Sequence, residues 1–563
     1  MATQQRSSYL RYLPPVLWEN DQAATDISLG SMLCLFEKIL TGIPDGEPIV
    51  HPRHLDTGDE THTHVSITET VEQLDRLYDP WRTPERFLPW LASWVALRFP
   101  ELQGDPLWDE YQQRKATSEI SRVHRRRGLR SGLATYLDLY SVGRVRPRVA
   151  VDDGTCLLTV RTDAGGQRPA TALPTFRPLI EDGEVVREGL MRPWCVARGT
   201  DGSLFVGERG LPEFAEVVHR RRVWRISAAG QPDLDGSPPR PRPLVPGMTL
   251  ARIVAVAVRP ETAGQPEKLF ILDQNGRIFA VPFPYTAATV PELVRLPTPV
   301  FPVAMTVDGA GDLLILDRGL SPPEAATPMI FTVRPDATPV GVIPKELDKT
   351  QIKEPLSLFV ERDGSLLVGD GGHQATAPET DGGGGNLIRV VRGAEQWTHT
   401  PLLPPDNALV APTAVARPDD GQLFVLDAGL KPFWPEFADD AFVLLRALPA
   451  SVRVVETATA STARITGPGS FVNPTGMVAA GAGLVICDPG PVETIGMNEN
   501  TYRPRVQPFE MSVVIHFSSD ELSADEALRK REMNGAMGTI TSIVGEHKPA
   551  HCRFIRVTRT LGE

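Results

Sequence analysis

The sequence predicts a multidomain α+β protein. A mostly helical N-terminal part (residues 1–145) is followed by a six-bladed β-propeller inserted at 178–505, and the C-terminus completes a small α/β unit. Three observations predict this. One short phrase recurs six times across the middle of the chain. Apolar residues in the first 145 positions fall at helical spacing. A strand–helix–strand pattern at 508–563 faces a hairpin pattern at 146–165, across the repeats.

The phrase reads TDGSLFVGERG at 200–210. It returns at 268–276 (KLFILDQNG), 311–319 (GDLLILDRG), 363–371 (DGSLLVGDG), 420–429 (DGQLFVLDAG) and 482–490 (AGLVICDPG). Each copy is a run of β-formers and an acidic residue beside a Gly-containing turn. Apolar runs precede the copies at 193–197, 253–258, 303–307, 355–360, 412–416 and 474–478. Further strand-like runs follow at 223–226, 277–281, 330–333, 387–391 and 442–445. Short antiparallel strands repeating every roughly 45–65 residues are the mark of propeller blades. The wording resembles NHL-type propellers, most closely at 273–281 (DQNGRIFAV). The sixth unit lacks an obvious last strand, and 178–187 (PLIEDGEVVR) is the candidate to supply it.

Composition sets the outer bounds. A chain of 563 residues with 41% hydrophobic content reads as several soluble globular domains. Its 53 prolines fit a loop-rich β architecture. A net charge of −12 argues against wholesale binding to nucleic acid or to an anionic membrane surface. The five cysteines show no metal spacing, and their odd number favours a reduced, cytoplasmic state. No signal peptide and no membrane span are expected.

In the N-terminal part, Ile27, Met32, Leu35, Phe36, Ile39 and Leu40 share a helical face, closed by Gly42 and Pro44. Thr83 reads as an N-cap with Pro84 at the first helical position, and Pro89 forces a kink or restart. Phe87, Trp90, Leu91 and Trp94 then form one broad apolar face. It is read as helical core or, alternatively, as contact surface for a partner subunit. A helix over 106–127 stops at Gly128, and another starts near Ser131. Near the C-terminus, 511–517 reads as a strand. Ser523 and Glu526 form a capping box for a helix reaching about Gly545, and a last strand follows His551.

Residues 9–19 (YLRYLPPVLWE), 83–97 (TPERFLPWLASWVAL), 124–143 (HRRRGLRSGLATYLDLYSVG) and the closing EHKPAH at 546–551 resemble the tail protein I family of contractile phages and related injection systems. The resemblance covers about 1–162 and 508–563, with the propeller as an insertion between them. Such an insertion predicts that Arg161 and Pro508 are neighbours.

Candidate chemistry is sparse. Glu208, Asp273, Asp317, Asp370, Asp427 and Asp488 recur once per unit, so they read as architectural acceptors rather than as a Ca²⁺-binding channel lining. His51, His54, His62 and His64 lie in a polar stretch without zinc-finger spacing. Arg122, Arg125, Arg126, Arg127 and Arg130 cluster at a helix C-terminus, where ion pairs within or between subunits are the favoured reading over phosphate contact. His219, His373 and His399 are the propeller's histidines. No catalytic, cofactor or metal set is expected, and the chain reads as a structural protein rather than an enzyme. A hydrolase or lyase on the propeller is the alternative.

The resemblance implies a baseplate wedge subunit in an assembled cytoplasmic particle. It would be packed against two copies of a larger wedge protein, near neighbouring wedges and sheath-initiator or spike components. The interface candidates are Phe87, Trp90, Leu91, Trp94, Arg125, Arg126, Arg127, Lys548 and His551. The propeller would then serve as a peripheral module for a cell-surface glycan or protein.

Overall fold

The computed structural model describes residues 7–19, 29–41, 71, 74–99, 101–102, 105–106, 108–140, 148–162, 170–173, 176, 179–181, 184–187, 189–190, 192–209, 221–235, 239–246, 249–262, 265–286, 289–297, 300–319, 327–372, 385–393, 396–405, 407, 409–418, 421–429, 450–467, 469–490, 510–517 and 522–560. The chain divides into two compact units. The first is residues 1–101 with 106–121, and the second is 102–105 with 122–563.

The first unit carries helices α1 (Pro15–Glu19), α2 (Leu29–Thr41), α3 (Leu88–Trp94) and most of α4 (Glu110–His124). The expected cap at Thr83 is not used. Thr83 is buried, Pro84 takes the cap position without a side-chain bond, and Glu85–Phe87 forms a 3₁₀ turn. Helix α3 then starts afresh with Pro89 in its first turn, where a missing N–H leaves no hydrogen bond unmade.

The second unit is mostly β and contains several four-stranded antiparallel sheets that resemble propeller blades. The chain enters it through α5 (Arg130–Tyr140), β1 (Arg148–Asp152), β2 (Leu157–Arg161) and β3 (Thr171–Ala172). Sheet one comprises β4 (Pro193–Arg198), β5 (Leu204–Glu208), β6 (Val223–Ile226) and β7 (Pro243–Leu244). Sheet two is β8 (Ile253–Arg259), β9 (Lys268–Asp273), β10 (Arg277–Pro282) and β11 (Glu292–Arg295). Sheet three is β12 (Pro302–Val307), β13 (Leu313–Asp317), β14 (Met329–Val333) and β15 (Val342–Glu346). Sheet four is β16 (Pro355–Val360), β17 (Leu366–Asp370), β18 (Asn386–Val391) and β19 (Thr398–Pro401). Sheet five is β20 (Pro412–Ala416), β21 (Leu423–Asp427), β22 (Ser451–Glu456) and β23 (Ser461–Arg464).

The third strand of sheet five is Ser451–Glu456, whereas 442–445 lies outside the described residues. The last sheet begins with β24 (Gly476–Ala480) and β25 (Gly483–Cys487), but 179–187 does not complete it; those residues pair with each other as a separate ribbon. Its outer strands are instead β2 and β3 from upstream, with Leu157 opposite Cys487 and Arg161 opposite Gly483. The hairpin expected at 146–165 therefore does not form. β1 turns away at Asp152–Asp153, whose carboxylates accept from the Gly154 and Thr155 N–H groups, and pairs in another sheet with β26 (Glu510–His516). β26 runs parallel to β27 (Arg553–Thr560) after helix α6 (Glu526–His547). That helix is capped by Asp525, which accepts from Leu528 N–H, and not by Ser523. Pro508 lies outside the described residues, but the strands flanking the insertion on both sides are directly paired.

The first strands β4, β8, β12, β16, β20 and β24 each pack beside the next, and β24 packs beside β4. Five of them carry a register shift at their second residue. The hairpin turns depend on left-handed glycines: Gly202, Gly311, Gly364, Gly421 and Gly481 have φ between +60° and +86°. Gly369 answers a different need. A Cβ there would lie 2.2 Å from Ser357 Oγ and 2.4 Å from the Pro412 carbonyl oxygen, so sheets four and five could not approach. The second strands supply the deepest apolar side chains, with Phe205, Phe270, Leu314, Leu367, Phe424 and Ile486 at most 1% exposed.

Polar bonds also link successive sheets. Glu267 accepts from Thr200 N–H at 2.7 Å, Arg259 pairs with Asp336, Arg392 with Asp308 at 3.0 Å, and Arg417 with Glu361 at 2.6 Å.

Candidate assembly interface

Helix α3 divides its residues sharply. Leu88, Leu91 and Ala92 are buried, but Trp90 is 40% exposed and Trp94 61% exposed. The reading of these tryptophans as core is thereby corrected. Helical spacing puts Trp90 and Trp94 on one side, which stays partly open to solvent. The two rings sit 4.7 Å apart, and Tyr78 lies 5.7 Å from Trp94 and 6.3 Å from Trp90. Half-buried Phe87 meets Trp90 edge-on at 6.3 Å. A second aromatic pair, Trp81 and Tyr111, is also exposed. The chain around them is braced: Trp81 N–H donates to Asp79, and Arg114 donates to the Pro80 carbonyl. Covering Trp94 alone would remove on the order of 150 Å² from water, worth about 3–4 kcal/mol. On α2, Met32, Leu35, Phe36 and Ile39 are likewise 46–58% exposed along one helical stripe.

In the second unit the basic cluster splits by role. Arg127 donates to the Glu546 carbonyl at 2.6 Å, placing its charge at the C-terminus of α6. Arg130 pairs with Asp153 at 3.1 Å and donates to the Ser470 carbonyl. Arg122, Arg125 and Arg126 are exposed. Lys548 is occupied in the local turn, donating to the Cys552 carbonyl, and His551 is exposed. Sequence reasoning missed His547, which is buried against the ring of His124 (5.3 Å, nearly parallel) and the edge of Tyr136 (4.7 Å). Burial, then His124 and Arg127, hold its pKa below the usual histidine value, and burial pushes the Tyr136 phenol up to about 12.

The six recurrent acids are all buried, and each carboxylate is spent on the chain around it. Asp427 accepts from Val410, Ala411 and Gly429 N–H groups, and Asp488 from Val472, Asn473 and Gly490. Asp317 holds Phe301 and Gly319, Asp370 holds Lys353, Glu354 and Gly372, and Asp273 holds Ala251, Asn275 and Arg277. Glu208 accepts from Arg192 N–H and the Trp224 indole. Each acid thus staples the segment that leads into the first strand of its own sheet. Burial, with the Glu354 carboxylate beside it, pushes Asp370 up to about 6.

A cavity of about 120 Å³ lies among the first strands, lined by residues such as Trp194, Val256, Met305 and Met477. Its hydroxyls point to architecture. Ser357 donates to the Pro412 carbonyl and Thr475 to that of Trp194, both at 2.7 Å, stitching one first strand to the next. The Cys195 thiol in this lining is pushed up to about 12 by burial. His399 sits on outer strand β19, and His51, His54, His62, His64, His219 and His373 lie outside the described residues. Among the described residues no helix is long and apolar enough to cross a membrane.

Comparison with known proteins gives a family model described as Phage tail protein (Tail_P2_I), which matches residues 57–167. No curated protein matches the chain. Solved structures with similarity include a virginiamycin B lyase from Staphylococcus aureus (12% identity, 53% of this chain and 78% of that one, TM-score 0.33). Others are a gluconolactonase from Xanthomonas campestris (14%, 59% and 99%, 0.33) and the PQQ-bound aldose sugar dehydrogenase from Streptomyces coelicolor (12%, 58% and 95%, 0.35). Several of these similar proteins are enzymes, so the expectation of a chain without catalysis does not stand. At such identities and TM-scores they assign this chain no reaction. The family match over 57–167 takes in α3, α4, α5 and both exposed aromatic groups.

Proposed function

We propose that this chain is a structural component of a contractile tail or phage-like injection system, a baseplate wedge subunit that carries a propeller. The observation that supports it most is the phage tail protein match over 57–167, the stretch that also exposes Tyr78, Trp81, Trp90, Trp94 and Tyr111. A monomer seldom leaves an aromatic patch of this kind in water unless a partner covers it. The partner we assign is the larger wedge protein, with two copies per chain. Neighbouring wedges and sheath-initiator or spike components are further contacts, served by Arg125, Arg126 and His551.

We read residues 1–145 as the helical assembly domain and the six four-stranded sheets as a six-bladed propeller, a reading supported by the circuit of first strands. The propeller acts as a peripheral contact module, toward a cell-surface glycan or protein or toward a neighbouring wedge.

Trp90→Ser combined with Trp94→Ser tests the assignment. The chain should stay folded, because both side chains are exposed, and should fail to co-purify with the larger wedge protein or to enter particles. Normal incorporation of the double variant would refute it.

A further inference from the structure

The propeller-like sheets and the α/β sheet belong to one compact unit, and the chain crosses between them twice. The first crossing is the turn from β1 to β2, and the second is the segment from β25 to β26. The strands flanking both crossings are paired, β1 with β26 and β2 with β25, and paired strands of this kind form a hinge axis about which one body can rock. A third contact, away from that axis, removes the freedom. The loop leading into β24 makes such a contact.

Three of its residues reach the α/β side by different means. Gly469, at φ +66°, lies so close to α5 that a Cβ would come within 2.8 Å of Ala134 Cβ and 3.5 Å of the Val149 carbonyl oxygen. The Ser470 carbonyl accepts from Arg130, the arginine that also pairs with Asp153 at the first crossing. Val472 is fully buried in a cluster with Ala150 of β1 and Val514 of β26. The same loop is held from the propeller side. Phe471 is buried among Phe424, Leu158 and Ile486, and Asp488 accepts from the Val472 and Asn473 N–H groups. Successive residues therefore face opposite bodies, and the loop is clamped between them.

We propose that this loop is a third mounting point which locks the propeller and the α/β sheet into a single rigid body. A contact made at the propeller, or a load on the α/β sheet, is then transmitted to the other without a flexible linker. This goes beyond the assembly role proposed above and does not depend on the identity of any partner.

Hydrogen exchange followed by mass spectrometry on the full chain, without partners, tests it. Arg130→Gln removes the side-chain link with little change in volume, and Gly469→Val adds a wedge at the contact with α5. In both variants, exchange of 469–473 and 148–152 should rise by at least about tenfold while sheet three keeps its protection. Arg130→Gln decides the question if Gly469→Val does not fold. Unchanged exchange in those two segments would overturn the proposal. So would an equal loss across all sheets, which would mean that the contact supports overall stability without coupling the two bodies.

Discussion

Completion of the last sheet by an upstream strand has a measurable cost of disruption. Leu158, on β2, is 1% exposed and packs with Phe424, Leu426, Phe471, Leu484 and Ile486. Its pairing partner is Ile486, more than three hundred positions downstream in the sequence. Leu158→Ala removes the equivalent of about three methylenes, roughly 2.4 kcal/mol by transfer alone. The cavity left in a packed core raises the total to about 3–4 kcal/mol. A chain of this size need not unfold in one step, so a global melt would blur the effect. Denaturant-dependent hydrogen exchange of residues 476–487 isolates it. The opening free energy of β24 and β25 should fall by that amount, while Ile343→Ala, at a 51% exposed outer-strand position, should change its own sheet by under about 1 kcal/mol. A Leu158→Ala cost below about 1 kcal/mol would mean that β2 does not complete the sheet.

Three further predictions concern buried polar groups. Asp427→Asn replaces a carboxylate that accepts three backbone N–H groups with an amide that turns donors toward them, and should lower the opening free energy of sheet five by about 1–3 kcal/mol in denaturant-dependent hydrogen exchange. Because these carboxylates are already engaged, adding Ca²⁺ or a chelator should leave the melt of the wild-type chain unchanged. His547 sets a pH dependence. Its folded pKa is depressed, so its contribution is complete above the unfolded value of about 6.5 and is lost as pH falls through the lower folded value. Protection of α6 should therefore decline between neutral and mildly acidic pH, and His547→Phe should flatten that decline.

The repeat was legible because each copy solves the same local problem. The turn glycines need positive φ, and one acid per sheet must receive the N–H groups ahead of the first strand. What the sequence concealed was non-local. β2 carries no repeat phrase, and its partner is remote, so no periodicity could assign it to the last sheet. The run at 442–445 matched a strand pattern, but pairing with β21 is made by 451–456. At α3, spacing placed Trp90 and Trp94 on a shared face, yet periodicity cannot say whether that face meets core or solvent. The stack of His124 on His547 joins two helix ends distant in sequence, and neither has a local motif. Gly469 likewise looks like an ordinary loop glycine until Ala134 is placed beside it.

The claim that joins these parts is that the paired ends build the assembly module and the propeller is entered and left through adjacent strands. Asp152 of β1 lies opposite Ser512 of β26, so replacing residues 154–508 with a short Gly-Ser linker should leave a β1–β26 hairpin intact. The most direct measurement is electron microscopy of particles from cells carrying that replacement. Normal contractile particles lacking a peripheral lobe are the predicted result. Soluble truncated protein without particles would contradict it and would move the assembly contacts onto the propeller itself.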